Sequence, residues 1–149
     1  MTFSSDYQQN KKDLKTALRI AESFDLICKD TVIGGKDACF FFVDGFTKDE
    51  VMQKLLSGFY TIQPQDLPKT AEDFSTKQLP YIEVDIVDDV KQTITSILSG
   101  MTALFIDGYT AAICMDALEH IKASIHNLLC NGLICLCRLL LSCCIYHKE

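Results

Sequence analysis

The residues best placed to do chemistry are two aspartates. Asp44 in "FFVDGF" (residues 41–46) and Asp107 in "LFIDGY" (residues 104–109) stand in nearly the same phrase, 63 residues apart. A pair of carboxylates can act as acid and base on a glycosidic bond. A catalytic pair normally works with a proton shuttle or metal ligand nearby, yet the first 117 residues contain no histidine; His120, His126 and His147 all come later. Trp is absent as well, and no aromatic-rich stretch suits a sugar. Each Asp-Gly falls where a strand must end and a residue tolerant of positive φ is useful, so turn punctuation is the better reading of both.

Other chemistries fail on spacing. "IGGKDA" carries Lys36, but a P-loop needs Gly at position 30 and Ser or Thr at 37, where Asp30 and Asp37 stand. There is no GxGxxG. Of the 8 cysteines, Cys28, Cys39 and Cys114 are scattered, and Cys130, Cys135, Cys137, Cys143 and Cys144 crowd the last 20 residues. Cys135 and Cys137 are too close in sequence for a typical paired zinc ligand, and Cys143 with His147 does not complete a set, so no metal is expected. The polar start, "MTFSSDYQQNKKDL", lacks the apolar stretch of a signal peptide. A cytosolic start is therefore expected, where thiols stay reduced and the cysteines are not a disulfide framework. With 20 acidic and 14 basic side chains the formal net charge is -6, and no Lys/Arg run could track a phosphate backbone, which argues against nucleic acid as partner.

The elements that would position these residues follow from periodicity. Residues 12–23 place Leu14, Ala17, Leu18 and Ala21 at helical steps. "LICKDTVI" and "ACFFFV", separated by Gly34 and Gly35, predict a hairpin. After Asp44-Gly45, Thr47 and Glu50 have capping-box spacing, predicting a helix to about Leu56. Residues 58–80 hold all three prolines and read as a loop or broken helix. "YIEVDIV" alternates Ile82, Val84 and Ile86 against Glu83 and Asp85, as a strand with one buried face would. Val90, Ile94, Ile97 and Leu98 predict a second amphipathic helix, stopped at Ser99-Gly100. "TALFIDGYTAAICM" then predicts a hairpin with a two-residue turn at Asp107-Gly108. The sum is an α/β fold: a mixed β-sheet with hairpins and two or three amphipathic helices packed on it.

In order, "DLICKDTVIGGKDACFFFVDGF" and "LLSGMTALFIDGYTAAICMDA" resemble the GerA family of spore germination proteins, the A subunits of germinant receptors. The resemblance runs from about Leu14 to Ala117, and its most specific part is "ILSGMTALFIDGY". It implies a cytosolic-side N-terminal α/β region of a non-enzymatic receptor subunit in the spore inner membrane, working with B and C subunits and needing no cofactor. It carries over no ligand contacts. The matching positions Gly34, Gly35, Asp44, Gly45, Gly100, Asp107 and Gly108 read as structural turns.

Composition breaks near Ala117. Residues 118–149 hold 2 acidic and 3 basic side chains, leaving 18 and 11 of the totals to residues 1–117. The expected division is therefore a GerA-like domain over 1–117 and a divergent Cys-rich apolar tail over 118–149. The tail lacks the Arg-, Pro- and Glu-Pro-containing segments that the family resemblance leads one to expect. It reads as a frameshifted or truncated end, as a helix covering the sheet, or as a membrane segment. Arg138 inside the apolar run counts against the last, at roughly 2.5 to 3.5 kcal/mol on insertion scales. The favoured function is a fragment of a germinant-receptor subunit contributing to nutrient-triggered germination. The alternatives are an independent cytosolic binding module with a cleft at the strand ends, and a hydrolase using Asp44 and Asp107.

Overall fold

Gly34 and Gly35 both adopt positive φ (+55° and +75°) and fold the chain back on itself, pairing β1 (Leu26–Ile33) with β2 (Lys36–Val43) along their whole length, from Leu26 opposite Val43 to Ile33 opposite Lys36. This two-residue turn with positive φ at both positions matches the twist of the strands it joins. The structure, a computed structural model, describes residues 2–80 and 82–116; the expectations placed on the tail lie outside the described residues.

β2 pairs on its other side with β4 (Thr102–Ile106), β4 with β5 (Ala112–Met115), and β5 with β3 (Val84–Val87). The sheet order is β1-β2-β4-β5-β3, antiparallel at every pairing where a mixed sheet was expected. The parallel pairing of a mixed sheet would need a crossover between neighbouring strands. Here each strand's neighbour instead returns in the opposite sense, although β2 and β4 are joined by a long excursion.

Alternation along the strands explains why "ACFFFV" (residues 38–43) and "ALFI" (residues 103–106) are apolar at every position. Ala38, Phe40, Phe42, Leu104, Ile106, Ile113 and Met115 face one way and join α2 (Asp49–Phe59) and α3 (Ala71–Gln78) in one core. Cys39, Phe41, Ala103, Phe105, Ala112 and Cys114 face the other way and join α1 (Tyr7–Ala17) and α4 (Val90–Leu98). The sheet is thus covered on both faces, and each fully buried Phe or Leu contributes roughly 1.5–3 kcal/mol of transfer free energy.

Several boundaries differ from expectation for local reasons. The first helix starts at Tyr7, not Lys12, because the Asp6 carboxylate accepts from the Gln9 N–H and caps it. It ends at Ala17, six residues before its expected close at Ser23, because Arg19 takes a left-handed φ of +49°; the Arg19 and Ile20 N–H groups donate to the Thr16 and Lys15 carbonyls in a Schellman pattern. The Thr47/Glu50 capping box does not form. Lys48 is the N-cap residue, without a side-chain cap, and Thr47 is buried elsewhere. The region expected as a loop or broken helix holds α3, capped by the Thr70 hydroxyl, which accepts from the Asp73 N–H. It also holds a 3-10 turn at Pro64–Asp66.

Candidate functional site

β2 and β4 run antiparallel, so the two Asp-Gly phrases that end them lie at opposite ends of the sheet. The Asp107 N–H donates to the Asp37 carbonyl across the ladder (2.8 Å), which places Asp44 seven residues further along β2. At about 3.4 Å per residue the two carboxylates are roughly 24 Å apart. A glycosidase pair needs about 5–9.5 Å, so these two cannot act on one bond.

Each phrase builds the same turn. The Phe46 N–H donates to the Val43 carbonyl (3.2 Å) and the Tyr109 N–H to the Ile106 carbonyl (3.0 Å), with positive φ at Gly45 (+82°) and Gly108 (+91°) in the third position. That is the φ a type II turn demands of its third residue. The phrases also stitch the pair of strands at both ends: Asp107 bonds to Asp37, and the Phe46 ring lies where a Cβ on Gly100 would meet it at 3.4 Å. Gly100 closes α4 in a second Schellman pattern, the Met101 N–H donating to the Ser96 carbonyl. At the far hairpin, a Cβ on Gly34 would stand 2.9 Å from the Leu67 Cβ, so that turn is seated against the segment before α3.

The second phrase does not make the expected two-residue hairpin. Residues 107–111 separate β4 from β5. Tyr109 accounts for the extra length: its ring packs edge-on to Phe74 of α3, and its hydroxyl donates to the Pro68 carbonyl. Burial, with the Asp73 charge adding to it, pushes the phenol up to about 12. At the start of β4, the Thr47 and Thr102 hydroxyls share a 2.8 Å hydrogen bond inside the protein. Sequence reading missed both contacts, since the partners are 41 and 55 residues apart.

Reactive side chains do gather in one place, under α1. Asp30 on β1 stands opposite Cys39 on β2, and Cys28 stands opposite Phe41, which puts all three reactive groups on the α1 face. Their ligand atoms lie within 4.8 Å of one another. The Lys11 ammonium reaches Asp30 Oδ1 at 2.7 Å, and its own pKa is raised: burial works against the charge, but the Asp30 bond and charge outweigh it. Cys39 donates its thiol hydrogen toward Cys28, which holds Cys28 below the ordinary thiol value, helped by the Lys15 and Lys11 charges. The same bond, with burial, pushes Cys39 up. Burial and a hydrogen bond to Cys39 also raise Tyr7. Cys28 opens on a groove of about 690 Å³ with Lys11, Lys15 and Arg19 on its wall. A smaller groove of about 210 Å³ reaches Asp30 beside Tyr7 and Asp37. Sequence spacing hid this cluster because its members meet through strand register, 11 residues apart at the extremes.

Among the described residues, helices on both faces of a five-stranded antiparallel sheet define an α/β domain whose recurrent Asp-Gly phrases terminate strands. Among solved structures, the N-terminal domain of the A subunit of the Bacillus megaterium spore germinant receptor GerK3 has this fold: TM-score 0.57 and 19% identity, over 78% of this chain and 96% of that one. The sequence matches the Bacillus/Clostridium GerA spore germination protein family over residues 12–127, and the chain belongs to that family. No curated protein matches it.

Proposed function

We propose that the chain is the N-terminal α/β region of a germinant-receptor A subunit, acting without catalysis in nutrient-triggered spore germination. The family match over residues 12–127 carries this reading. The fold shared with a domain described as belonging to an A subunit supports it. In this reading the domain takes in residues 1–117 and the remainder is a divergent tail, although the family match extends past Ala117 to residue 127. Gly34, Gly35, Asp44, Gly45, Gly100, Asp107 and Gly108 serve the turns that end strands and α4, and this reading assigns them no ligand contact. The partners are B and C subunits of a receptor, and the place of action is the cytosolic face of the spore inner membrane. Membrane association through these partners, or through the apolar tail, belongs to the same reading; among the described residues no helix is long and apolar enough to cross a membrane.

The test is co-purification. Expressed with the B and C subunits of a germinant receptor, the chain is expected to be recovered with them from detergent-solubilised membranes. Recovery without either subunit, together with direct binding of a nutrient germinant by the isolated chain, would overturn the proposal in favour of an independent binding module.

A further inference from the structure

We propose that Cys28, Cys39 and Asp30 form a binding site for one thiophilic divalent cation of the Zn2+ class, set between β1 and β2 beneath α1. Three donors of the right chemistry, two sulfurs and a carboxylate, already lie within 4.8 Å of one another, held by the register of a hairpin paired along its whole length. A tetrahedral zinc site with 2.3 Å Zn–S bonds places its sulfurs about 3.8 Å apart, so the donors close by about 1 Å at most. The two flanking grooves give an ion a way in and leave room for a water as fourth ligand.

The surroundings suit the ion once it is bound. Binding breaks two S–H bonds, forms two metal–sulfur bonds and releases two protons to solvent. Two thiolates and one carboxylate then carry three negative charges against the ion's two positive ones, and Lys11 supplies the third. Asp30 Oδ1 takes both the Lys11 ammonium at 2.7 Å and the Cys28 thiol at 3.9 Å, and a carboxylate has lone pairs enough to ligate a metal besides. The Tyr7 hydroxyl, hydrogen-bonded to the Cys39 sulfur, is an outer partner of the kind that orients a ligating group. A sulfur pair with one carboxylate favours Zn2+ or Co2+ over Mg2+ or Ca2+, which take oxygen ligands.

The test titrates the reduced full-length chain with Co2+ alone and follows thiolate-to-cobalt charge-transfer absorption. One Co2+ is expected at this site, displaced by Zn2+ and not by Mg2+. A chain with Cys130, Cys135, Cys137, Cys143 and Cys144 all changed to Ser keeps the signal, which separates this site from the tail. Cys28→Ser, at a half-buried position, abolishes it while leaving the circular dichroism spectrum intact. Asp30→Asn weakens binding at least about tenfold, the lower end of what losing even an outer partner does. No charge-transfer band in the chain with the tail cysteines replaced, or a band that survives Cys28→Ser in that chain, would overturn the proposal.

Discussion

Replacing Thr47 and Thr102 by Val, singly and together, separates a hydrogen bond's worth from the harm of breaking it. Val has the shape of Thr without its hydroxyl, so packing is nearly preserved. Thr102 has no exposed surface, and Thr47 is 8% exposed. Thr47→Val therefore leaves the Thr102 hydroxyl without its partner in a place water does not reach, at about 2 kcal/mol within the usual 1–3. Thr102→Val leaves Thr47 nearer the surface, at about 1 kcal/mol. The double replacement removes both polar groups and is expected to lie within about 1 kcal/mol of the native protein. The coupling energy is then about -2 to -3 kcal/mol. Urea unfolding reads it directly: with a slope near 2 kcal/mol/M, Thr47→Val lowers the midpoint by about 1 M and the double variant largely restores it. Additive losses, with the double variant the least stable of the three, would refute the argument that the hydroxyls satisfy each other.

Gly34→Ala combines a left-handed φ, about 1–2 kcal/mol for a residue with a Cβ, with a contact 2.9 Å from the Leu67 Cβ; a loss of about 2–4 kcal/mol in urea unfolding is expected, and a loss under 1 kcal/mol would show that the turn is not seated against that segment. Tyr109→Phe removes the bond to the Pro68 carbonyl and is expected to lower stability by about 1 kcal/mol at neutral pH. The folded phenol sits near 12, above its unfolded value of about 10, so its contribution is fully present below about pH 10 and is lost as pH rises toward 12. The stability gap between native and Tyr109→Phe chains should accordingly shrink across that window, and a gap that stays constant would contradict it.

What could be read from the sequence was what neighbouring residues decide. The hairpin of β1 and β2 followed from two β-rich runs around Gly34-Gly35, and α4 from its apolar spacing and the Ser99-Gly100 stop. The contrast is α3. Only Ala71 and Phe74 of its eight residues are buried, so its period was too weak to emerge between prolines. Thr47 looked like a helix cap because its spacing to Glu50 is a local signal, whereas the hydrogen bond that claims its hydroxyl comes from Thr102 on another strand. The cluster of Cys28, Asp30 and Cys39 was illegible for the same reason: which residues of β1 face which of β2 depends on the turn's two-residue length, and a one-residue slip would turn Asp30 away from Cys39.

The strand order also sets a timetable for folding. β1 and β2 can pair as soon as both exist, since their ladder needs only a tight turn. β4 must wait until the chain has gone out through α2, α3, β3 and α4, because Phe41 pairs with Ala103. β3 waits longer still. It precedes β4 in sequence, yet its ladder partner is β5, so Val84 to Val87 have no strand to pair with until Ala112–Met115 has been made. During synthesis on the ribosome the early hairpin therefore leaves the β4 edge of β2 unpaired, and the β3 edge of the sheet forms only once β5 has been made. Pairings across such long separations are slow and expose aggregation-prone surface in the meantime. The emerging chain thus carries unpaired strand edges between the appearance of Val43 and that of Met115.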